Sequence, residues 1–326
     1  MRQLDDKIGS RITKLSPVEA NNWKKWKLSV IKHIVRIKGK PKPLDLLLTK
    51  GIEQLKSMNI VIKQADKNLG LVPIRGDIYT AMVRKWTAPP AFRREILFPH
   101  ADIISRMSNI IRHNKAINEE KKEKWLQYAQ NATEPCPFYA IPKIHKGDLL
   151  ASRPISAQHS YILAPLSQEL SSVLLAAQKT CTGITTDTVS FINRIESTRF
   201  QSSFVMMTYD VEACYPSIDI NDAIKTLHDN IPVMRKNNSF WTKILQLIMY
   251  NNYVTTNGQL YRQMEGTATG TQVAPQFANL YLYFKFRSIL ERPSILLHER
   301  FIDDGFVLTS SEVEAETIIN QLINCT

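Results

Sequence analysis

Three aspartates stand where apolar segments end or turn. Asp210 follows an apolar run, and Asp303 and Asp304 lie between two apolar segments. A carboxylate pair in such a turn is costly unless a cation or a hydrogen-bond donor meets it. Carboxylates at neighbouring strand ends can hold two Mg²⁺ ions, which clamp the attacking and leaving oxygens of a phosphoryl transfer. A solvated Asp-Asp turn is the alternative interpretation.

An aromatic residue and a pair of glycines follow in patterns that suit a nucleotide. Tyr215 stands five positions after Asp210, where a ring can lie beneath a bound sugar and clash with a 2′-hydroxyl. Gly266 and Gly270 precede a predicted helix, and glycines there let the backbone approach a ligand closely. The alternatives are that Tyr215 is a core residue and that the glycines only form a turn.

A basic segment precedes both features. Lys143, Lys146 and Arg153 lie within eleven residues on an extended stretch that prolines keep from becoming helical. Lysine and arginine in that arrangement can clamp a triphosphate. Lys67, in a polar turn further upstream, is a further candidate for contact with phosphate or nucleic acid. A solvated basic loop is the alternative for both places.

Predicted strands and helices position these residues. Apolar runs and turn residues predict a strand–loop–strand unit over 59–74, a buried strand over 203–209 and a hairpin over 300–308. Helical periodicity is found over 101–130, 160–179, 220–253 (two helices) and from Gly270 to about 290. The region 135–146 reads as extended because of its prolines. The elements alternate without a repeat, which is typical of a mixed helix and strand fold.

Composition and charge narrow the classes of protein. With 326 residues, of which 44% are hydrophobic and 22% charged, the chain suits a globular fold rather than a disordered one. It has no apolar run that could span a bilayer and no apolar N-terminal core, so we expect neither a membrane protein nor a secreted one. Residues 1–150 hold 29 basic and 14 acidic residues, whereas residues 151–326 hold 13 and 16. The basic half predicts a partner such as nucleic acid.

The order of these motifs resembles that of reverse transcriptases, and most closely that of Penelope-like retroelements, which are relatives of telomerase. Residues 55–326 carry the resemblance. The matching motifs are Ala65-Asp-Lys67, Tyr139-Ala-Ile-Pro-Lys-Ile-His-Lys146, Arg153-Pro-Ile-Ser156, Tyr209-Asp-Val-Glu-Ala-Cys-Tyr215, Thr269-Gly-Thr-Gln-Val-Ala-Pro275 with Ala278-Asn279-Leu280, and Arg300-Phe-Ile-Asp-Asp304.

The resemblance implies an α+β right-hand polymerase that adds dNTPs to a DNA primer on an RNA template. A basic N-terminal helical extension would span 1–54, the fingers 55–200 and an incomplete palm 201–326. Two Mg²⁺ ions, or Mn²⁺, would be held by Asp210, Asp303 and the Val211 carbonyl, with Asp304 assisting. The nucleotide would contact Lys143, Arg153, Tyr215 and Gly270, and Lys67 and Lys146 would add phosphate or nucleic-acid contacts.

Some features depart from that family. Thr269 replaces the Gln or Met that is common before Gly270, and the sequence given ends 22 residues after Asp304. We therefore expect a chain truncated after the aspartate pair, without a thumb, and a poor polymerase alone. The rivals are a non-catalytic nucleic-acid-binding remnant, an RNA-dependent RNA polymerase and a two-metal nuclease. Tyr215 counts against RNA synthesis, and the triphosphate clamp against a nuclease. The expected compartment is the nucleus or the cytoplasm.

Overall fold

The computed structural model describes residues 46–115, 117–236 and 240–325. The predicted N-terminal extension, 1–54, therefore lies almost wholly outside the described residues. The described chain has the predicted α+β composition, and it divides into two compact units. No helix in the described ranges is long and apolar enough to cross a membrane.

Of the described residues, the first unit takes in 46–84 and 140–153. It contains helix α1 (Leu46–Ser57), strands β1 (Ile60–Gln64) and β2 (Leu71–Arg75), and most of helix α2 (Gly76–Trp86). Strands β1 and β2 pair in antiparallel fashion, so the predicted strand–loop–strand unit is confirmed. The turn between them is the Lys67 turn identified from the sequence.

The second unit comprises the described residues within 85–139 and 154–325. The chain passes between the units within strands β4 and β5. The elements from β3 onward are β3 (Phe92–Glu95), α3 (His100–Arg112), α4 (Glu119–Asn131), β4 (Cys136–Pro142), β5 (Ser152–Ser156), α5 (Ala164–Gln178), α6 (Thr188–Ser197), β6 (Val205–Asp210), α7 (Cys214–Ser217), α8 (Ile220–Asn230), α9 (Pro232–Arg235), α10 (Phe240–Tyr250), β7 (Tyr253–Thr256), β8 (Gln259–Gln263), α11 (Ala274–Leu290), β9 (Ile295–Phe301), β10 (Asp304–Thr309) and α12 (Glu312–Cys325).

Two further sheets organise these strands. Strands β6, β10 and β9 form an antiparallel sheet in that order, with β10 in the centre. A five-stranded sheet has the order β3-β8-β7-β4-β5, in which β4 and β7 run parallel. The predicted strand before Asp210 and the hairpin over 300–308 are confirmed, because they are β6 and the β9–β10 pair. The predicted burial of the first strand is wrong: β6 lies at the edge of its sheet, and Met207 is its one buried residue.

Helix α11 contributes many residues to the core. This helix is apolar on nearly all sides, which is the pattern of a helix enclosed by others. Its residues Phe277, Leu280 and Phe286 are all buried, and it packs against α5, α8 and α12. Pro275 in its first turn has no N–H to leave unpaired, which suits a helix start.

One predicted region folds differently at its end. Residues 220–253 form helices α8, α9 and α10, but the chain enters strand β7 at Tyr253 instead of ending a second helix there. Asn257 and Gly258 both have positive φ angles, as a tight hairpin turn requires, and they join β7 to β8. The Asn-Gly pair is a hairpin signal that lies beyond the range predicted to be helical, and our prediction did not use it.

A half-buried histidine on β9 contacts β6 within the three-stranded sheet. The Nε2 atom of His298 on β9 lies 3.1 Å from the Tyr209 hydroxyl, and the two rings stack. Burial, and then the positive charge of Arg300, lower the pKa of His298 to about 4. Burial likewise raises the pKa of Tyr209 to about 12. Both side chains are therefore neutral at neutral pH.

This histidine predicts a pH dependence of stability. The folded pKa of His298 is below the unfolded value. Its contribution to the free energy of unfolding is therefore complete above about pH 6.5 and is lost as the pH falls towards 4, a change of at most about 3 kcal/mol. Urea unfolding between pH 4 and 7.5 should show a shallower loss in His298→Gln than in wild type. The exposed His113 provides the control variant, His113→Gln. Equal pH slopes in wild type and His298→Gln would contradict the assignment.

Candidate functional site

The pairing of β6 with β10 brings the three predicted aspartates together. Asp210, the last residue of β6, is the register partner of Asp304, the first residue of β10. The Val211 N–H donates to the Asp303 carbonyl over 3.1 Å. Residues directly opposite in an antiparallel pair have Cβ atoms about 5 Å apart. Aspartates separated by more than ninety residues in the sequence thus meet at one end of the sheet.

The turn that presents Asp303 is tight. Phe301 pairs with Asp304, so only Ile302 and Asp303 form the connection. Ile302 has a φ of 57°, which is a strained conformation for a β-branched residue. Gly305 follows, and a Cβ atom there would come within 2.1 Å of the Tyr209 ring. The turn therefore requires a glycine against β6 and a contact that holds Ile302 in place.

Asp303 and Asp210 lie near the buried thiol of Cys214, and solvent reaches both carboxylates. Burial raises the pKa of Cys214 to about 11, and the charges of Asp303 and Asp210 add to that increase. Asp303 is half-buried and Asp210 is exposed. Both carboxylates are thus close enough to act on the same side chain, at a place that solvent reaches.

This donor set fits Mg²⁺ better than a metal that needs a closed protein cage. In the described part of the chain, no group of three or more His, Cys, Asp and Glu side chains could by itself hold a metal ion. A site here would rest on two carboxylates, completed by backbone oxygen, water or substrate. Mg²⁺ is commonly bound in that way, through one or two carboxylates and substrate phosphates.

Tyr215 and the glycine-bearing loop are neighbours, as their predicted shared role requires. Tyr215 is half-buried in the short helix α7, and its carbonyl accepts a hydrogen bond from the Thr267 N–H over 2.8 Å. A Cβ atom at Gly266 would approach the backbone of Pro216 within 2.5 Å. The loop before α11 is therefore pressed against the segment that follows Asp210.

The same loop reaches the end of β5 at Gly270. The Ser156 N–H donates to the Thr269 carbonyl over 2.8 Å, and Gly270 has a φ of 120°. A Cβ atom at Gly270 would lie 2.1 Å from the Ser156 carbonyl oxygen. Buried Gln158 strengthens this attachment, because its Oε1 accepts from the Thr271 hydroxyl over 2.6 Å.

The predicted phosphate-binding residues lie in the first compact unit. Arg153 forms a two-point ion pair with the buried Asp66, with Nε and Nη2 at 3.2 and 3.3 Å from the two carboxylate oxygens. The Lys143 N–H donates to the Ala151 carbonyl, which closes the loop between β4 and β5. Lys67, beside Asp66, is exposed and has a φ of 56°. Lys146 is also exposed.

Sequence reasoning missed the polar residues that support the site from within the core. Arg300 is 1% exposed and donates to Ile302 in the acidic turn and to Asn279 on α11. Asp66 entered the prediction as a turn residue and as part of the Ala65-Asp-Lys67 motif, without its partner Arg153. A signal was available for Asn279, because a polar residue in the middle of an apolar helix has to find a partner.

Comparison with known proteins assigns the family. The family model described as reverse transcriptase (RNA-dependent DNA polymerase) matches residues 148–326, which is more than half of the chain. The chain belongs to the reverse transcriptase family. A search of curated protein sequences finds no match.

Solved telomerases share the fold. An apo telomerase of Candida tropicalis truncated from the C-terminal domain matches with a TM-score of 0.52 and 13% identity, over 80% of this chain and 54% of that one. A Candida albicans telomerase in complex with a telomeric RNA fragment matches with a TM-score of 0.56 and 14% identity, over 84% and 48%. This reverse transcriptase chain therefore spans about half the length of those telomerases, and the likeness supports the predicted fingers and palm fold.

The Gly270 contact predicts an effect that a nearby glycine should not show. Gly270→Ala should lower the free energy of unfolding by about 2 kcal/mol or more beyond the cost of its positive φ, because the added methyl meets a backbone oxygen. Gly258→Ala is the matched control, since Gly258 also has positive φ but has open space around its Cβ position. Urea unfolding of both variants measures the difference. Equal losses would contradict the close approach.

Proposed function

We propose that this reverse transcriptase is the RNA-directed DNA polymerase of a retroelement, with closest kinship to the Penelope-like group. It would add dNTPs to the 3′-hydroxyl of a DNA primer on an RNA template. The observation that carries the proposal is the pairing of Asp210 with the Asp303–Asp304 turn in a chain of this family. The basic composition of residues 1–150 agrees with nucleic-acid partners.

In this proposal, Asp210, Asp303 and the Val211 carbonyl hold two Mg²⁺ ions, or Mn²⁺, and Asp304 assists. The ions supply the charge that stabilises the attacking and leaving oxygens of the phosphoryl transfer. The two carboxylates fix the positions of these charges, since their strands are paired up to the acids themselves. The half-exposed setting leaves room for the substrate oxygens that Mg²⁺ requires.

Three further regions would bind the nucleotide. Lys143 and Arg153 would hold the triphosphate, with Lys67 and Lys146 in contact with phosphate or nucleic acid. A guanidinium that is held by Asp66 along one edge is pre-oriented to present its remaining N–H groups to phosphate. Gly270 would let the loop backbone approach the nucleotide, and the Tyr215 ring would pack beneath its sugar and exclude a 2′-hydroxyl.

We assign residues 55–200 to the fingers and 201–326 to the palm. The site of action would be the nucleus or the cytoplasm. An RNA polymerase and a non-catalytic nucleic-acid-binding protein remain the two alternatives that experiments must separate.

Primer extension tests the proposed reaction. With an RNA template, a DNA primer, dNTPs and Mg²⁺, the chain should extend the primer slowly and by few nucleotides, as expected of a poor polymerase, and a chelator should stop the extension. Asp210→Asn should lower the rate by about 100-fold or more, because it removes a charged metal ligand. Asp229→Asn is the control, since Asp229 is an exposed aspartate on α8. Wild-type protein that binds the duplex without extending it would instead favour the non-catalytic alternative.

Sugar selection tests the role of Tyr215. Tyr215→Ala should raise the ratio of kcat/KM for NTPs to that for dNTPs by about tenfold or more, because the clash with the 2′-hydroxyl is removed. Tyr215→Phe keeps the ring and should keep the selection. The same ratio in wild type and Tyr215→Ala would show that the ring is only a core residue and would make RNA synthesis a serious rival.

A further inference from the structure

Arg300 is a buried cation that contacts the acidic turn directly. It is 1% exposed, which makes it the largest fully buried side chain among the described residues. Its Nη1 donates to the Ile302 carbonyl over 2.6 Å and to the Asn279 side-chain oxygen over 2.9 Å. Its Nη2 donates to the Asn279 carbonyl over 2.6 Å. One planar group therefore joins the turn to helix α11.

The partners of Arg300 are unusual for a buried arginine. Its hydrogen bonds go to neutral oxygens, and none of the ion pairs found among the described residues includes it. A buried charge that forms no ion pair is costly. Burial lowers the pKa of Arg300, while the nearby Asp303 charge opposes that shift. Stability alone is thus a weak explanation for a guanidinium at this position.

The backbone of Arg300 is also held by hydrogen bonds. The Arg300 N–H donates to the Gly183 carbonyl over 2.8 Å, and its own carbonyl accepts from the Thr185 N–H over 2.9 Å. Asn279 in turn donates to the side-chain oxygen of Gln178 on α5 at 3.5 Å. These contacts fix Arg300 relative to α5, α11 and residues 183–185, in addition to its hydrogen bond to the turn.

Arg300 holds the Ile302 carbonyl oxygen, and the position of this atom matters most for the acidic turn. Ile302 has the strained positive φ in a two-residue connection, and the next residue is Asp303. A strained conformation persists only where surrounding contacts determine it. The hydrogen bond to the Ile302 carbonyl is such a contact, because it fixes the peptide group that joins Ile302 to Asp303.

We propose that Arg300 is a positioning residue, which through Asn279 and the Ile302 carbonyl holds Asp303 in the orientation that binds the metal. The proposal rests on the proposed function of Asp303. Arg300 does not touch the substrate. Its planar fork serves two acceptors at once, which a lysine ammonium on a flexible stem does not reproduce.

Arg300→Lys separates geometry from charge, since the positive charge is kept. We expect the apparent affinity for Mn²⁺, titrated by electron paramagnetic resonance without nucleic acid, to fall about tenfold or more, as is typical when the support of a metal ligand is lost. In primer extension the Mg²⁺ concentration at half-maximal rate should rise and kcat should fall, while the KM for dNTP stays near the wild-type value. Arg287→Lys, an exposed arginine on α11, is the control.

Asn279→Ser provides a second variant in case Arg300→Lys does not fold. It leaves Arg300 two of its three hydrogen bonds, so we expect a smaller weakening of Mn²⁺ binding in the same direction. Unchanged Mn²⁺ affinity in the folded variants would overturn the proposal, because a purely structural arginine would alter only the free energy of unfolding. Wild-type protein that binds Mn²⁺ but does not extend primers would contradict the proposed function and leave this comparison valid.

Discussion

The antiparallel pairing of β6 with β10 is the constraint on which the candidate site depends. The register puts Asp210 opposite Asp304, and the hydrogen bond from Val211 to Asp303 continues the pairing past the end of β6. A shift by one residue would turn every side chain of the strand to the opposite face. Glycine at 305 allows this register, since any larger residue would meet the Tyr209 ring.

Close backbone contacts at glycines, like the one at Gly305, also hold the loops around the acids. Gly270 lies against the Ser156 carbonyl, and Gly266 lies against Pro216, so the loop before α11 follows the contours of its neighbours closely. Buried polar side chains then hold the loops in the close positions that the glycines permit. Arg300 joins α11 to the acidic turn, and Gln158 joins the loop to the end of β5. A reaction that moves one phosphoryl group between fixed oxygens needs such rigidity more than it needs a deep pocket.

Local signals in the sequence predicted the parts of the site that sit on single elements. The apolar run before Asp210 and the hairpin around Asp303 follow from period and turn residues alone. The ion pair between Asp66 and Arg153 joins positions 87 apart, and nothing local marks it. The burial of Arg300 was missed because arginine is ordinarily exposed, and its partner Asn279 lies on a different element. Long-range polar contacts are set by packing, so they become visible only in the folded chain.

Metal-directed cleavage tests the proposed metal site, which β6 and the β9–β10 turn would hold together. Fe²⁺ bound in place of Mg²⁺ in the complex with RNA template, DNA primer and dNTP reduces added hydrogen peroxide to hydroxide and a hydroxyl radical, ascorbate reduces the resulting Fe³⁺ again, and the radicals cut the nearest backbone. We expect cuts at both 210–211 and 302–304, suppressed by excess Mg²⁺ and lost in Asp210→Asn. Cuts confined to other segments, or a pattern that Asp210→Asn leaves unchanged, would contradict it.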